Sequence, residues 1–515
     1  MRVTALGLDT DRLLGPLPAW RATCTAAQWQ ATALAVAEGG GRLVSLWGSD
    51  RRDQAEGAFV VSAALAIGEG LVWLDLPLSE QEPAYPDLAG IFPCAARMQR
   101  AVFDLLGVDP KGAVDLRYWL NHGDWPGDFF PLRREVRGDE CLDDHEVVDY
   151  PFIKVEGDGV HEIPVGPVHA GIIEPGHFRF SIVGEKVLRL EERLGYTHKG
   201  IDKRFEKLSA EDGVRLAGRV SGDSTVAYAW AYSMALESIG GTLVPPRAAS
   251  LRALMLERER IANHLGDLGA LGNDAAFSFG LAQFMCLKED WLRLNGRLFG
   301  HRFMMDRVLP GGVAVDIDDT ARAALLVQCD AIEHEVRILR RIYDDHAGLQ
   351  DRFITTGTVT PQLATQLGLT GLAGRASGIA FDLRADFPVE PYGRLDVRMA
   401  THRNGDVAAR VTVRFEEVFE SLRLIRLLLK DLPAGAVRAE LSAPDSRFGA
   451  GWVEGWRGGV FVALEVEAGR VRRCHCHDPS WQNWPVLEHA VIGDIVPDFP
   501  LINKSFNLSY AGHDR

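Results

Sequence analysis

Apolar residues in the first part of the chain fall into short runs. Residues 42–47, 59–65 and 70–76 have strand length and strand composition and predict β-strands, whereas 96–106 is amphipathic at helical spacing and is closed by Gly107. Together they predict an α+β unit. Residues 134–150 carry mostly charge, with Arg134, Glu135, Arg137, Asp139 and Glu140 followed by Asp143-Asp144-His145-Glu146, and predict a linker. Gly184-Glu185-Lys186 predicts a turn between two strands. From Thr225 to Tyr232 an apolar helix begins. Residues 247–271 then place Leu251, Leu254, Leu256, Ile261, Leu265 and Leu268 at helical spacing, with Glu257, Arg260, Asn263, His264 and Asp267 between them. Residues 281–299, 319–346 and 411–432 predict further helices, and 461–466 and 471–474 predict strands. No internal repeat or low-complexity tract interrupts this pattern.

Composition narrows the function. A chain of 515 residues with 47% hydrophobic residues can build two or three domains with sizeable cores. A net charge of −15 argues against a general nucleic-acid binder, because phosphate binding needs clustered basic residues. The first residues have no long apolar core and meet Asp9 and Asp11 early, so no signal peptide is expected. The most apolar stretch, 58–78, is broken by Glu69 and Asp75 and is a poor membrane span. The expected location is the cytoplasm, with any membrane attachment made through partners. Seven scattered cysteines suit reduced thiols. No CxxC pair is present, so no iron–sulfur cluster is expected on this chain. In Cys474-His475-Cys476-His477, strand alternation sends the thiols to one face and the imidazoles to the other, so the four cannot converge on a metal. Gly371-Leu372-Ala373-Gly374 lacks the third glycine and the strand–turn–helix setting of a dinucleotide fingerprint.

The candidate chemistry lies in two short frames. Gly218-Arg219-Val220-Ser221-Gly222-Asp223-Ser224 precedes the apolar helix, and side chains three apart there share a face. Cysteines at Ser221 and Ser224 would form half of a thiolate metal site. The second frame, Asp478-Pro479-Ser480-Trp481-Gln482-Asn483, also has no thiol.

These frames resemble the large subunit of nickel–iron hydrogenases, in its hydrogenase-4 and formate hydrogenlyase form, with every metal ligand replaced. The N-terminal runs from Arg97 to Val108, Asp115-Leu116-Arg117-Tyr118-Trp119-Leu120 and Asp124-Trp125-Pro126-Gly127 resemble the C subunit of respiratory complex I. Ile163-Pro164-Val165-Gly166-Pro167-Val168-His169, Glu174-Pro175-Gly176-His177-Phe178-Arg179-Phe180 and Arg193-Leu194-Gly195-Tyr196-Thr197-His198-Lys199-Gly200 resemble its D subunit and the hydrogenase large subunits. Gly371 to Gly378 and Asp382-Leu383-Arg384 fit the same family. The resemblance implies fused C and D units: a C-like α+β domain over 1–133, a linker over 134–150, and over 151–515 a bundle of long helices with a β-rich rim.

It also implies roles. Glu174, His169 and Arg219 would meet in one catalytic cleft, with Glu174 relaying protons. Tyr196 and His198 would line it, and Ser221, Ser224, Ser480 and Asn483 would stand at the four ligand positions. No nickel–iron centre is expected, nor any cofactor held by this chain alone, although quinone binding is open, as is NAD binding by the assembly. In complex I the quinone chemistry is linked to a histidine in the first loop and a tyrosine after the arginine. Here Pro175 or His177 lies near the first position and Gly222 at the second, with Tyr228 expected to project elsewhere on its helix. The implied partners are a small iron–sulfur subunit and antiporter-like membrane subunits on the inner face of the cell membrane. The implied function is electron transfer coupled to ion translocation. A non-catalytic scaffold between the iron–sulfur partner and the membrane arm is the alternative. An active hydrogenase is disfavoured by the missing thiols, by the lack of a histidine after the second frame, and by the run from Ser509 to Arg515, which is complex I-like.

Overall fold

The computed structural model describes residues 1–54, 57–142, 149–170, 173–444 and 446–515. The expected strands appear as β3 (Arg42–Asp50), β4 (Phe59–Ile67) and β5 (Gly70–Leu78), joined at the edge by β1 (Asp11–Arg12) and β2 (Ala19–Thr23) in the order β1-β2-β5-β4-β3. Strands this uniformly apolar need cover on both faces. One face packs under α1 (Ala26–Glu38) and α2 (Ala95–Leu106), bringing Val61 and Leu65 into one core with Trp29, Met98 and Val102. The other face, with Val44, Trp47, Ala64 and Trp73, belongs to the core of the rest of the chain. Gly107 ends α2 at φ 70°, as its position in the sequence implies. The helix α1 was not expected. Its signal is the capping box Thr25–Gln28, with reciprocal side-chain and backbone hydrogen bonds.

Of the charge-rich stretch 134–150, residues 143–148, including Asp143, Asp144, His145 and Glu146, lie outside the described residues. Its first residues are held: Arg134 donates to Asp50 O at 3.0 Å and to Arg472 O at 2.8 Å. A three-stranded sheet follows, of β6 (Val160–Val165), β7 (His177–Val183) and β8 (Lys186–Arg193), with β7 and β8 meeting at Val183 and Lys186 around the expected turn.

The long helices are α3 (Thr225–Gly240), α4 (Pro246–Asp274), α5 (Ser278–Phe299), α6 (Asp319–Asp345) and α7 (Val407–Lys430). The last begins four residues before the expected start because the Asp406 side chain caps it, accepting from Ala409 N at 2.8 Å. Helix α4 is the spine. Its interleaved polar residues do not face solvent. Glu257, Arg258, Glu259, Arg260, His264 and Asp267 are all buried, so the helix is enclosed on every side.

Glu257 and Asp267 are paired with arginines brought from far along the chain, and His264 lies 2.8 Å from Glu417, which belongs to a second set of buried pairs. Arg375 joins Glu417 at 2.7 Å and Glu454 at 2.8 Å, Arg384 joins Glu257 at 3.1 Å and Asp382 at 2.7 Å, and Arg414 joins Asp267 at 2.9 Å. The β-rich rim is β9 (Phe448–Glu454), β10 (Gly459–Glu467) and β11 (Arg470–His477), followed by α8 (Ser480–Ala490), α9 (Phe499–Phe506) and α10 (Tyr510–Asp514). Strand alternation in β11 is as expected. The Cys474 and Cys476 sulfurs lie 3.8 Å apart on one face, and on the other His475 and His477 both reach Ser45 Oγ, at 2.7 and 3.0 Å. The α+β architecture, sheets against a long-helix bundle, thus holds.

Candidate functional site

The two frames meet. Ser221 and Ser224 are buried on the single turn that leads into α3, and Asp223 lies between them. Its carboxylate accepts from Ser221 Oγ at 2.9 Å and Ser224 Oγ at 3.3 Å, and takes a bidentate pair from Arg457 at 2.8 and 2.6 Å. Burial pushes the Asp223 carboxyl up, but the guanidinium overrides it and holds the group below the usual carboxylate range. Arg457 comes from the β9–β10 hairpin, where it also stacks on Trp456 at 3.9 Å and donates to Asn507 O. Two glycines let this hairpin approach. At Gly371, φ is 64° and a Cβ would lie 1.8 Å from Arg457 O, while a Cβ at Gly458 (φ 143°) would lie 3.0 Å from Pro479.

The second frame starts α8. Ser480 Oγ accepts from Ser509 N at 2.9 Å, and Ser509 Oγ in turn lies 2.9 Å from Ser221 Oγ. Ser509 therefore bridges the frames. Asn483 is one turn further along α8 and exchanges two hydrogen bonds with the backbone of Thr370, at 3.1 and 3.2 Å. Tyr228 corrects an expectation. It does not project elsewhere but donates to Asp478 Oδ2 at 2.8 Å, because four residues along α3 return it to the face of Ser224. Asp478 also accepts from Ser480 N at 2.9 Å, so Tyr228 supports the second frame.

The short helix α10 holds two of the remaining expected residues, Glu174 and His198. Glu174 Oε2 accepts from Ala511 N at 3.2 Å. At the other end, Gly195 N and Thr197 N donate to the Asp514 carboxylate at 2.9 and 3.0 Å, and His198 Nδ1 is 2.7 Å from Asp514 O. Tyr196 instead stands edge-on to His122, with ring centres 4.4 Å apart, and its partial burial raises its hydroxyl pKa. His169 Nε2 is 2.7 Å from Gly176 O and so closes its own loop. Arg219 is the clear departure from the expected cleft. Its guanidinium pairs bidentately with Asp306 at 2.7 and 2.8 Å on a half-exposed edge, not with Glu174. The long side chain leaves the turn outward, where Asp306 takes both its terminal nitrogens. His177, near the expected quinone-linked position, is 3.2 Å from Gly166 O, and its pKa is pushed down by burial.

The donor set does not fit a nickel–iron centre. Three hydroxyls and an amide replace soft thiolates, each is engaged within the protein, and a guanidinium already neutralises the carboxylate between the first pair. Sequence reasoning missed Asp223 as the ion-pair acceptor, Arg457 and Ser509. The available signal was the position of Asp223 between the two serines and the glycines around Arg457; Ser509 had none. Because Ser509 caps α10, accepting from Gly512 N at 2.9 Å, Ser509→Ala is expected to cost about 1 kcal/mol in denaturant unfolding.

Residues 267–448 match the family described as respiratory-chain NADH dehydrogenase, 49 Kd subunit, and residues 22–140 match the 30 Kd subunit family. The chain is 31% identical to formate hydrogenlyase subunit 5 of Escherichia coli, over 92% of this chain and 85% of that protein. It is 31% identical to hydrogenase-4 component G of the same organism, over 92% and 84%. A chain of an archaeal membrane-bound sulfane sulfur reductase has the same fold, with a TM-score of 0.66 and 24% identity, over 69% of this chain and 99% of that one. Among the described residues, no helix is long and apolar enough to cross a membrane.

Proposed function

The chain belongs to the family in which 30 kDa- and 49 kDa-type respiratory NADH dehydrogenase units are fused, together with formate hydrogenlyase subunit 5 and hydrogenase-4 component G, and from that premise we propose that it is the large peripheral subunit of a membrane-associated oxidoreductase complex. In this reading an iron–sulfur cluster in a small partner subunit exchanges electrons with an acceptor, such as a quinone, next to the pocket formed by the two frames. Antiporter-like membrane subunits lie beneath, on the inner face of the membrane, and couple that transfer to ion movement. The chain itself holds no nickel–iron centre.

One observation carries the reading. The two frames and their hairpin are in contact, and their polar groups form a closed network around the Asp223–Arg457 pair. Such a network can hold and pass protons, and it polarises the space where an acceptor would dock. Elemental analysis of the native complex is expected to find nickel far below one atom per chain. A stoichiometric amount would sink the reading. A scaffold role is the second reading, and one observation favours it. The void beside Asp223 measures only about 10 Å³, room for a water and not for a quinone ring, so an acceptor needs the site to open.

A further inference from the structure

We infer that Glu259, together with the small void it shares with Asp223, forms a buried proton-binding site at the edge of the pocket, with the proton on the Glu259 carboxyl and one water in the void as its exchange path. Glu259 lies on α4 and is 5% exposed. Its oxygens accept from two backbone donors on the first turn of α3, Val226 N at 2.7 Å and Ala227 N at 3.2 Å. Among the described residues no cation forms an ion pair with it, in contrast to Glu257 and Asp267 on the same helix. The void of about 10 Å³ is lined by Asp223, Glu259, Asn263 and Asn295. That is the room one water needs, with polar neighbours to hold it. Asn263 spans the same edge, donating to Asp223 O at 2.8 Å and Glu259 O at 3.0 Å.

Two carboxylates therefore face one void in opposite surroundings. Asp223 is fixed as the anion by Arg457 and two serine hydroxyls. Glu259 has only neutral donors. The groups around it divide as follows. Burial and the Asp223 charge oppose its ionisation, while the two N–H groups at the start of α3 and Arg260 favour it. Arg302, past the end of α5, also lines the void, but its guanidinium is committed to Glu289 at 2.9 and 2.7 Å. Together these place the Glu259 pKa at about 8. Paired carboxyl groups whose surroundings push them apart, one ionised and one protonated, are a recurring arrangement for storing and moving a proton. The shorter bond ties down Oε2, which leaves Oε1 as the oxygen to carry it. The use of this proton by an arriving electron rests on the redox reading above; the existence of the proton site does not.

Infrared difference spectra of the complex containing the full chain, wild type minus Glu259→Gln, test the site directly. A protonated carboxylic-acid carbonyl band is expected at pH 6, absent from the variant, lost on raising the pH with a midpoint near 8, and shifted on transfer to heavy water. Asp223→Asn, which removes the neighbouring negative charge, is expected to move that midpoint down. Where Glu259→Gln does not assemble, carbon-13 glutamate labelling of the wild type and of Asp223→Asn reads the same band. No carboxylic-acid band at pH 6 means that Glu259 is ionised and overturns the assignment. A band that ignores both heavy water and Asp223→Asn overturns the shared, water-linked site. Neither result depends on acceptor reduction, so a silent redox assay with an intact band would fault the function and not the proton site.

Discussion

Arg375→Leu is expected to cost about 3–5 kcal/mol of stability at pH 7, a large share of the roughly 5–15 kcal/mol that holds a typical domain together. Arg375 is fully buried and its guanidinium serves Glu417, Glu454 and the Phe381 carbonyl at once, at 2.7, 2.8 and 3.1 Å. Leucine fills part of the volume but leaves Glu454 with one backbone donor, Leu383 N at 3.2 Å. Glu417 keeps His264 at 2.8 Å, and Asp382 keeps Arg384. The loss therefore falls mainly on Glu454, whose pKa burial already raises. The pH dependence has a definite sign. An uncompensated carboxyl has a folded pKa above its unfolded one, so it destabilises most at high pH. The deficit of Arg375→Leu should shrink as the pH falls from 7 toward 5 and Glu454 takes a proton. Glu417 behaves oppositely in the wild type. Burial raises its pKa, but Arg375, His264 and Arg260 overcome this and hold it well below the usual range, so its contribution is lost only in strong acid. Arg375→Lys should recover part of the loss, since an ammonium supplies the charge without the fork. Denaturant midpoints across pH measure all of this; a deficit below about 1 kcal/mol at pH 7 would show that the network is not what holds α4, α7 and the rim together.

Glu174→Gln is expected to lower acceptor reduction by the assembled complex about 10²- to 10⁴-fold, the range that a positioned proton-transfer group supplies. The residue is exposed, and its bond to Ala511 N sets it against the helix whose cap, Ser509, touches both frames. Glutamine keeps the shape and can still accept from Ala511 N, so assembly should be unchanged. Only the titrating proton is removed. Under the scaffold reading the same substitution should leave turnover nearly intact. Full turnover in a fully assembled variant would therefore remove Glu174 from the proton route and favour the scaffold. Arg219→Gln offers a control. Its guanidinium is engaged with Asp306, away from Glu174, so the substitution should not reproduce the Glu174 defect.

The local pattern was sufficient for the framework. Continuous apolar runs located β3, β4 and β5 because a strand buried on both faces has no polar alternation to hide it, and Gly107 marked the end of α2 because few other residues tolerate φ 70°. The two short frames with their serines and asparagine were visible in the sequence, their reading as ligand positions coming from the resemblance, and strand alternation gave the separation of thiols and imidazoles along β11. Elsewhere the pattern was silent. The polar residues interleaved along α4 are buried, because their partners come from residues more than a hundred positions away, such as Arg384 for Glu257 and Arg414 for Asp267. Arg219 and Glu174 shared a cleft only by resemblance; Arg219 pairs instead with Asp306, 87 residues on, a partner that sequence spacing does not give.

The sequence by itself determined the strands and helices, the two frames and the absence of thiolate ligands within them, since each depends on residue type at short range. Only the tertiary structure decided what occupies the place between the frames. Arg457 enters it from a hairpin some 230 residues from Asp223, Ser509 bridges Ser221 and Ser480, and Glu259 is left among neutral donors beside a charged neighbour. Ion pairing, bridging and burial are properties of groups that folding brings together, and they fix which carboxyl is ionised and which keeps its proton.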